Sequence, residues 1–318
     1  MAFNDFLKMY ADSKSITVEE LKARGATDIN IRYLLSNRER GRSYINKIEK
    51  LYSRPLEGAR VLDLGCAYGG LSIELSKAGA TCTAIEIVPS YVGLAKANAL
   101  NEADIEFFIG DFTDKSILQK MSHLKFDIFV INHVLEHVYD TVSLMENVSR
   151  LASENAVIIF DLPNGHSMTS VRAEGHTGYF AASLADPDSW YQYKPLRHSI
   201  YYRKWAYFKS VFEQFGFTHQ VLADPEVTVD RREALLGFIE EIKAKSNDPA
   251  TEPNDLIREV VDKFIAEIHY DLGNATNEEL DQKYFAYFWK GVLAKREDLI
   301  PAAARESFTE TEWAEGTL

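Results

Sequence analysis

Eleven residues constrain this chain more than any others: Arg60-Val61-Leu62-Asp63-Leu64-Gly65-Cys66-Ala67-Tyr68-Gly69-Gly70. They open as an apolar run too short for a helix and close in small residues and glycines. An amphipathic segment follows, with Leu71, Leu75 and Ala78 on one face. The pattern predicts a buried strand, a tight glycine turn and a helix. Glycines at such a turn let backbone come close to a ligand, and the first turn of the helix offers unpaired N–H groups. A nucleotide-type ligand follows. A dinucleotide site wants G-x-G-x-x-G and an acidic residue about 20 positions on for the ribose. Here the order is Gly65-x-Ala67-x-Gly69-Gly70, and Glu86 lies 21 residues after Gly65. That spacing suits more than one nucleotide cofactor, NAD included.

A chain of 318 residues allows one large domain or two small ones, and 46% hydrophobic residues supply a sizeable core. The net charge of −13 argues against a broad phosphate-binding face and so against a nucleic-acid partner. Cys66 and Cys82 sit in or beside core strands and read as buried free thiols, with no disulfide framework or cysteine-based zinc site. The first residues carry charges throughout, and no apolar run approaches the roughly 18 residues of a membrane span. A cytoplasmic protein with no membrane partner is the expectation.

Residues 1–58 read as helical. Thr17-Val18-Glu19-Glu20 has the capping-box pattern, Gly25 is a fitting stop, and a second helix is predicted over Asn30–Tyr52. Its arginines, Arg32, Arg38, Arg40 and Arg42, read first as a solvated face. From Arg60 to Asp161 strands alternate with helices. The strands are expected at Arg60–Leu64, Cys82–Ile87, Ile105–Ile109, Asp127–Ile131 and Ala156–Phe160. The helices are expected near Gly69–Ala78, Ser90–Leu100, Lys115–Met121 and Thr141–Leu151. Near-continuous apolar strands between helices predict an α/β fold with a parallel sheet covered on both faces. Ligands of such sheets bind at the carboxyl ends of the strands.

Asp63, two residues before Gly65, separates the cofactors. The stretch from Val61 to Gly70 resembles the first motif of the class I S-adenosylmethionine (SAM) dependent methyltransferases, V-L-D-x-G-C-G-x-G. Ala67 stands where the middle glycine is usual, and Tyr68 is bulky for its place. Val134-Leu135-Glu136-His137-Val138 and Asp161-Leu162-Pro163-Asn164 resemble the ubiquinone-biosynthesis O-methyltransferase-like group of that family. The resemblance implies a Rossmann-like, seven-stranded, mostly parallel sheet with helices on both faces. It also implies an N-terminal helical lid and a last strand inserted antiparallel beside the fifth. The implied cofactor is SAM, held by Asp63, Gly65, Ala67 and Gly69 in the loop. Glu86 and Ile87 would meet the ribose, Asp111 and Phe112 the adenine, and Asn132 the methionine part. Taken singly, Glu86 reads as a strand-end acid and Asp111 as a helix cap. One N-terminal arginine would meet a carboxylate at the cofactor site.

The acceptor is less defined. Residues 179–202 hold seven aromatics, where the chain average of 12% gives about three, so a pocket lining is expected there. The substrate candidates are His176, Tyr179, Trp190, Tyr191, His198 and Tyr202, against ordinary loop packing. A histidine suits the role of base because it titrates near neutrality. His133 is the first choice, then His166 and His137; loop anchoring accounts for each equally well. His133, Glu136 and His137 stand at i, i+3 and i+4 and, with His198, make an alternative transition-metal set. The preferred reading has no metal, with Glu136 and His137 serving loop packing and capping.

Trp205, Phe208, Val211, Phe212 and Phe215 mark an amphipathic helix, and Phe217–Ala223 a strand. Residues 224–281 carry 16 acidic and 6 basic side chains, a net −10 that supplies most of the chain's −13. A helix there puts Leu256, Val260, Phe264 and Ile268 on one stripe, and Tyr284–Lys295 reads as the final strand. The expected organisation is a lid at 1–58, a SAM-binding core at 59–223 with a substrate loop at 161–202, and an acidic helical insert at 224–281. A final strand at 282–300 and a poorly ordered tail at 301–318 complete it. The expected function is methyl transfer from SAM to a small-molecule acceptor, oxygen favoured over nitrogen. The alternatives are an NAD-dependent oxidoreductase on the same sheet and a non-catalytic SAM-binding module.

Overall fold

The structure is a computed structural model that describes residues 2–192, 200–306 and 309. Four helices precede the first strand: α1 (Ala2–Ser13), α2 (Val18–Arg24), α3 (Ile29–Leu35) and α4 (Asn37–Leu51). Thr17 and Glu20 close the capping box on α2. The single helix expected over Asn30–Tyr52 is two. Asn37 turns its amide back onto the Leu34 carbonyl, and Ser36 bonds the Arg32 carbonyl. Side chains that compete for backbone carbonyls in this way interrupt a helix.

The core alternates as the apolar runs require: β1 (Arg60–Leu64), α5 (Gly70–Lys77), β2 (Thr81–Glu86), α6 (Pro89–Ala99), β3 (Ile105–Ile109), α7 (Lys115–Met121), β4 (Phe126–Asn132), α8 (Thr141–Leu151) and β5 (Ala152–Pro163). Two short helices, α9 (Met168–Arg172) and α10 (Pro187–Tyr191), lead to α11 (Trp205–Gln214) and β6 (His219–Leu222). The insert comprises α12 (Arg231–Ser246), α13 (Asn254–Asn274) and α14 (Asn277–Leu280). Then come β7 (Phe288–Ala294) and α15 (Ala302–Glu306). The sheet order is β3-β2-β1-β4-β5-β7-β6. β7 runs antiparallel between β5 and β6, with Asp161 opposite Lys290. The last strand begins four residues later than Tyr284, because Asp281–Phe285 forms a wide helical turn. Lys283 and Tyr284 of that turn reach Asp271 instead of joining the sheet.

Both sheet faces are buried, as continuous apolar strands demand. Leu62, Phe129, Ile158 and Phe160 face α8 and α11; Val61, Val130, Val157 and Ile159 face α4 and α5. A third core joins α12 and α13 through Leu235, Phe238, Val261 and Phe264. There the buried stripe of α13 is Ile257, Val261, Phe264 and Ile268, so Leu256 and Val260 lie at its edge. A fourth cluster gathers Phe6, Leu34 and Tyr68. Cys66 and Cys82 are buried free thiols. Among the described residues no helix is long and apolar enough to cross a membrane. Of the expected tail, Pro301, α15 and Thr309 are described; its other residues from 307 on lie outside the described residues.

Candidate cofactor and acceptor site

The turn after β1 is built from left-handed residues: φ is 72° at Gly65, 45° at Ala67 and 73° at Gly69. Gly65 has no room for a side chain, since a Cβ there would lie 2.6 Å from Val134 Cγ2. Glu86 holds the turn from the end of β2. Its carboxylate accepts from Ala67 N at 3.1 Å and from Val88 N at 3.0 Å. Asp63 is buried beneath the loop beside Ser72, and burial raises its carboxyl to about 6. Tyr68 fits its place because the N-terminal helices receive it. Its ring packs 6.0 Å from Phe6 and 5.1 Å from Tyr91. Helices α1 and α3 therefore rest on the glycine loop. Arg38 is consumed by Glu74 and Glu102, whereas Arg40 lines the cleft and stacks 3.3 Å from the Tyr33 ring centre.

Two cavities meet at Gly65. One, of about 240 Å³, is lined by Arg40 and Lys47 of α4, by Asp63 and Ala67, and by Asn132, His133 and Asp161 at the ends of β4 and β5. The other, of about 350 Å³, is lined by Glu86, Ile87, Asp111, Phe112, Val134 and His137. Of the expected cofactor residues, Gly69 alone lines neither; it shapes the turn against Ala95. Asp111 also accepts from Thr113 N at 2.8 Å, so it caps the following turn as well.

Past β4, His133 adopts a φ of 54°, and its amide donates to the Asp161 carbonyl. Its Nδ1 lies 3.5 Å from Glu136 Oε1 and its Nε2 4.0 Å from Asp161 Oδ2. Burial alone would lower its pKa, but Asp161 and Glu136 outweigh burial and hold it above the ordinary value. Leu135–His137 is a single 3₁₀ turn. It buries Glu136 completely, and neither carboxylate oxygen has a hydrogen-bond partner among the described residues. The rings of His137 and His176 meet edge to face at 5.0 Å. His176 Nδ1 sits 2.9 Å from Glu174 Oε1. Glu174 is buried and also accepts from Thr177 N, Thr177 Oγ1 and Tyr202 OH. Against the pull of burial, those donors hold it at about 2. One ligand atom from each of Glu136, His137 and His176 lies within 4.8 Å of the others.

Three aromatic candidates stand elsewhere. Trp190 is buried in the third core 5.8 Å from Tyr179, and Tyr191 is exposed; none lines either cavity. The apolar body of Trp190 completes a core that α12 and α13 do not close alone. Tyr202 is tied to Glu174, His166 lines a different cleft, and His198 lies outside the described residues. Sequence reasoning missed Glu174, Lys47 and Lys290. Lys47 lines the first cavity, and burial, with Lys290 nearby, lowers it to about 8. An acid alone in a loop and a lysine on a helix carry no spacing signal that would have found them.

A family model described as a methyltransferase domain matches residues 36–221. The chain belongs to that methyltransferase family. The curated relatives include the ubiquinone biosynthesis O-methyltransferase of Pasteurella multocida (strain Pm70), 32% identical over 117 residues, 34% of this chain and 48% of that one. The enzyme of the same name from Paracidovorax citrulli (strain AAC00-1) is 29% identical over 110 residues, 35% of this chain and 46% of that one. The methyltransferase thus spans about half the length of the curated relatives it matches. Among solved structures, a magnesium protoporphyrin IX methyltransferase from Synechocystis PCC 6803 is 18% identical with a TM-score of 0.45, covering 68% of this chain and 90% of that one. A putative sarcosine dimethylglycine methyltransferase from Galdieria sulphuraria is 14% identical with a TM-score of 0.44, covering 84% and 88%. SAM is the cofactor of the methyltransferase, and the residues present fit it. The glycine loop leaves backbone room, Glu86 faces the wider cavity, and Asn132 Oδ1 is a buried acceptor without a partner among the described residues. Family membership sets the NAD-dependent alternative aside.

Proposed function

We propose that this methyltransferase acts on a hydroxyl of a small molecule held beside His133. The observation that carries the reading is the convergence of His133, His137 and His176 on buried Glu136, next to the Gly65 loop. An amine acceptor needs no base, whereas a hydroxyl does. When bound, SAM supplies a methyl group on a positively charged sulfur. His133 takes the acceptor proton at Nε2, and Asp161, 4.0 Å away, stabilises the imidazolium. Glu136 stands toward Nδ1 and fixes the ring. Helices α1–α3 and Tyr68 exclude water from the loop side. The O-methyltransferase relatives support an oxygen acceptor. Methyl transfer is measured with purified protein, SAM and panels of hydroxyl and amine acceptors. Transfer to hydroxyls and a His133→Gln loss of roughly 10²–10⁴ in kcat are expected. Full cofactor affinity with no transfer to any acceptor class would favour a non-catalytic binding module.

A second reading rests on Glu136 itself. A fully buried carboxylate with no hydrogen bond among the described residues, and His133 Nδ1 only 3.5 Å off, favours a cation, and His137 and His176 bring nitrogen ligands to it. Glu174 orients His176 through Nδ1, leaving Nε2 for an ion, as outer carboxylates do for metal-bound histidines. The ion would orient the acceptor hydroxyl. This set differs from the one read from the sequence by taking His176. Elemental analysis and zinc calorimetry on the full chain test it; binding lost in both Glu136→Gln and His176→Ala supports it, and absence of saturable binding removes it.

A further inference from the structure

A cleft of about 440 Å³ lies outside the site described so far and shares no lining residue with the cavities at Gly65. His166, Trp205, Tyr270, Gln282, Lys283 and Trp289 help to line it. They come from the loop after β5, the start of α11, the insert with its closing turn, and β7. One buried amide fixes their relation. Asn164 Nδ2 donates to the Lys283 carbonyl at 2.9 Å and the Ala286 carbonyl at 2.8 Å, and Asn164 Oδ1 accepts from His166 N at 3.0 Å.

Three aromatic side chains, Trp205, Tyr270 and Trp289, stand in the lining. The ring centres of Trp205 and Trp289 are 5.6 Å apart. Trp289 Nε1 already donates to the Gln282 carbonyl, so this indole offers its face. Both lysines of the wall are paired with carboxylates. Lys204 and Lys283 both meet Glu267, and Lys283 and Tyr284 also meet Asp271. Glu279, the third carboxylate, accepts from Thr276 N at 2.8 Å and Thr276 Oγ1 at 2.9 Å, so no lining cation is left over for an anionic ligand. Burial, opposed by Glu267, brings His166 down to about 4, so the ring is neutral at physiological pH. Two buried polar atoms of the lining, His166 Nδ1 and Gln282 Oε1, have no hydrogen-bond partner among the described residues. Unpaired buried polar atoms are unfavourable, and a group that satisfies them is favoured. A hydroxyl both donates and accepts, so it serves the amide oxygen and either tautomer of the imidazole.

We infer that this cleft binds an uncharged aromatic molecule bearing a hydroxyl group, at a site separate from the cofactor groove. The inference does not depend on the methyl-transfer reading. Calorimetry on the full chain saturated with S-adenosylhomocysteine tests it, titrating phenol, catechol, cyclohexanol and benzoate. Phenol and catechol bind; cyclohexanol and benzoate bind roughly tenfold more weakly or not at all. His166→Leu and Gln282→Met each weaken catechol roughly three- to tenfold. In the unsubstituted protein, catechol slows amide exchange across residues 270–283, a readout that does not depend on any variant folding. Absence of saturable binding by both phenol and catechol overturns the inference. So does equal binding of benzoate or cyclohexanol, or protection at residues 63–70 or 132–137 without protection at 270–283.

Discussion

Glu86 joins the turn after β1 to the turn after β2 by accepting from Ala67 N and Val88 N, and it keeps lone pairs for a diol. Glu86→Ala therefore removes charged hydrogen bonds from loop and ligand together. SAM affinity is expected to fall by about 1.5–3 kcal/mol by calorimetry, and an unchanged affinity rejects the ribose role. Lys47 carries a second prediction at this scale. Its folded pKa of about 8 lies below the unfolded value of about 10.4, so below pH 8 its charge is a full penalty on the fold. Between these values the unfolded chain binds more protons, and stability gains from Lys47 as pH rises. Lys47→Met should flatten that alkaline rise in urea midpoints measured from pH 8 to 10; an identical pH slope in the variant refutes the buried charge.

Helices α4 and α5 touch backbone to backbone, and two glycines permit it. A Cβ on Gly70 would lie 2.3 Å from the Asn37 carbonyl oxygen, and one on Gly41 2.6 Å from that of Gly70. Gly70→Ala should destabilise by about 1–3 kcal/mol or more through overpacking. Gly237 in α12 has open space, and Gly237→Ala should stabilise by about 0.5–1 kcal/mol. Urea unfolding of the two variants gives shifts of opposite sign; a stable Gly70→Ala would show that α4 is not locked to the core. The strands were readable because apolar runs stand between glycine and proline punctuation. The break at Ser36 was not, because it depends on where one amide, Asn37, points. Tyr284 looked like strand because five of the six residues Tyr284–Trp289 are aromatic, yet its hydroxyl belongs to Asp271. The strand ends that line the two cavities were readable because they fall at regular intervals. The partnership of Glu174 with His176 was not, since it is a matter of loop conformation, and Trp190 was misplaced because its partners come from helices 40 and more residues further on.

Across the whole molecule, the acidic insert is fastened to the core by Arg172–Glu241, Lys204–Glu267 and the Asn164 amide. Asn164→Ala strands several carbonyls at once, so amide exchange across residues 277–287 should accelerate while residues 81–86 keep their protection. Uniform acceleration would mean that the insert and sheet open as one. SAM should protect α1–α3 through Tyr68, and identical exchange with and without cofactor would remove the lid. The position of β7 has a consequence for how the protein is made. β5 and β6 leave the ribosome with a vacant lane between them, and the strand that fills it begins 66 residues after β6 ends. At roughly 5–20 residues per second, translation leaves that lane open for several seconds. During this interval the β5 margin is an unpaired template of the kind other chains add to. The acidic insert is synthesised in that same interval, and its −10 charge repels neighbouring nascent copies while the gap persists.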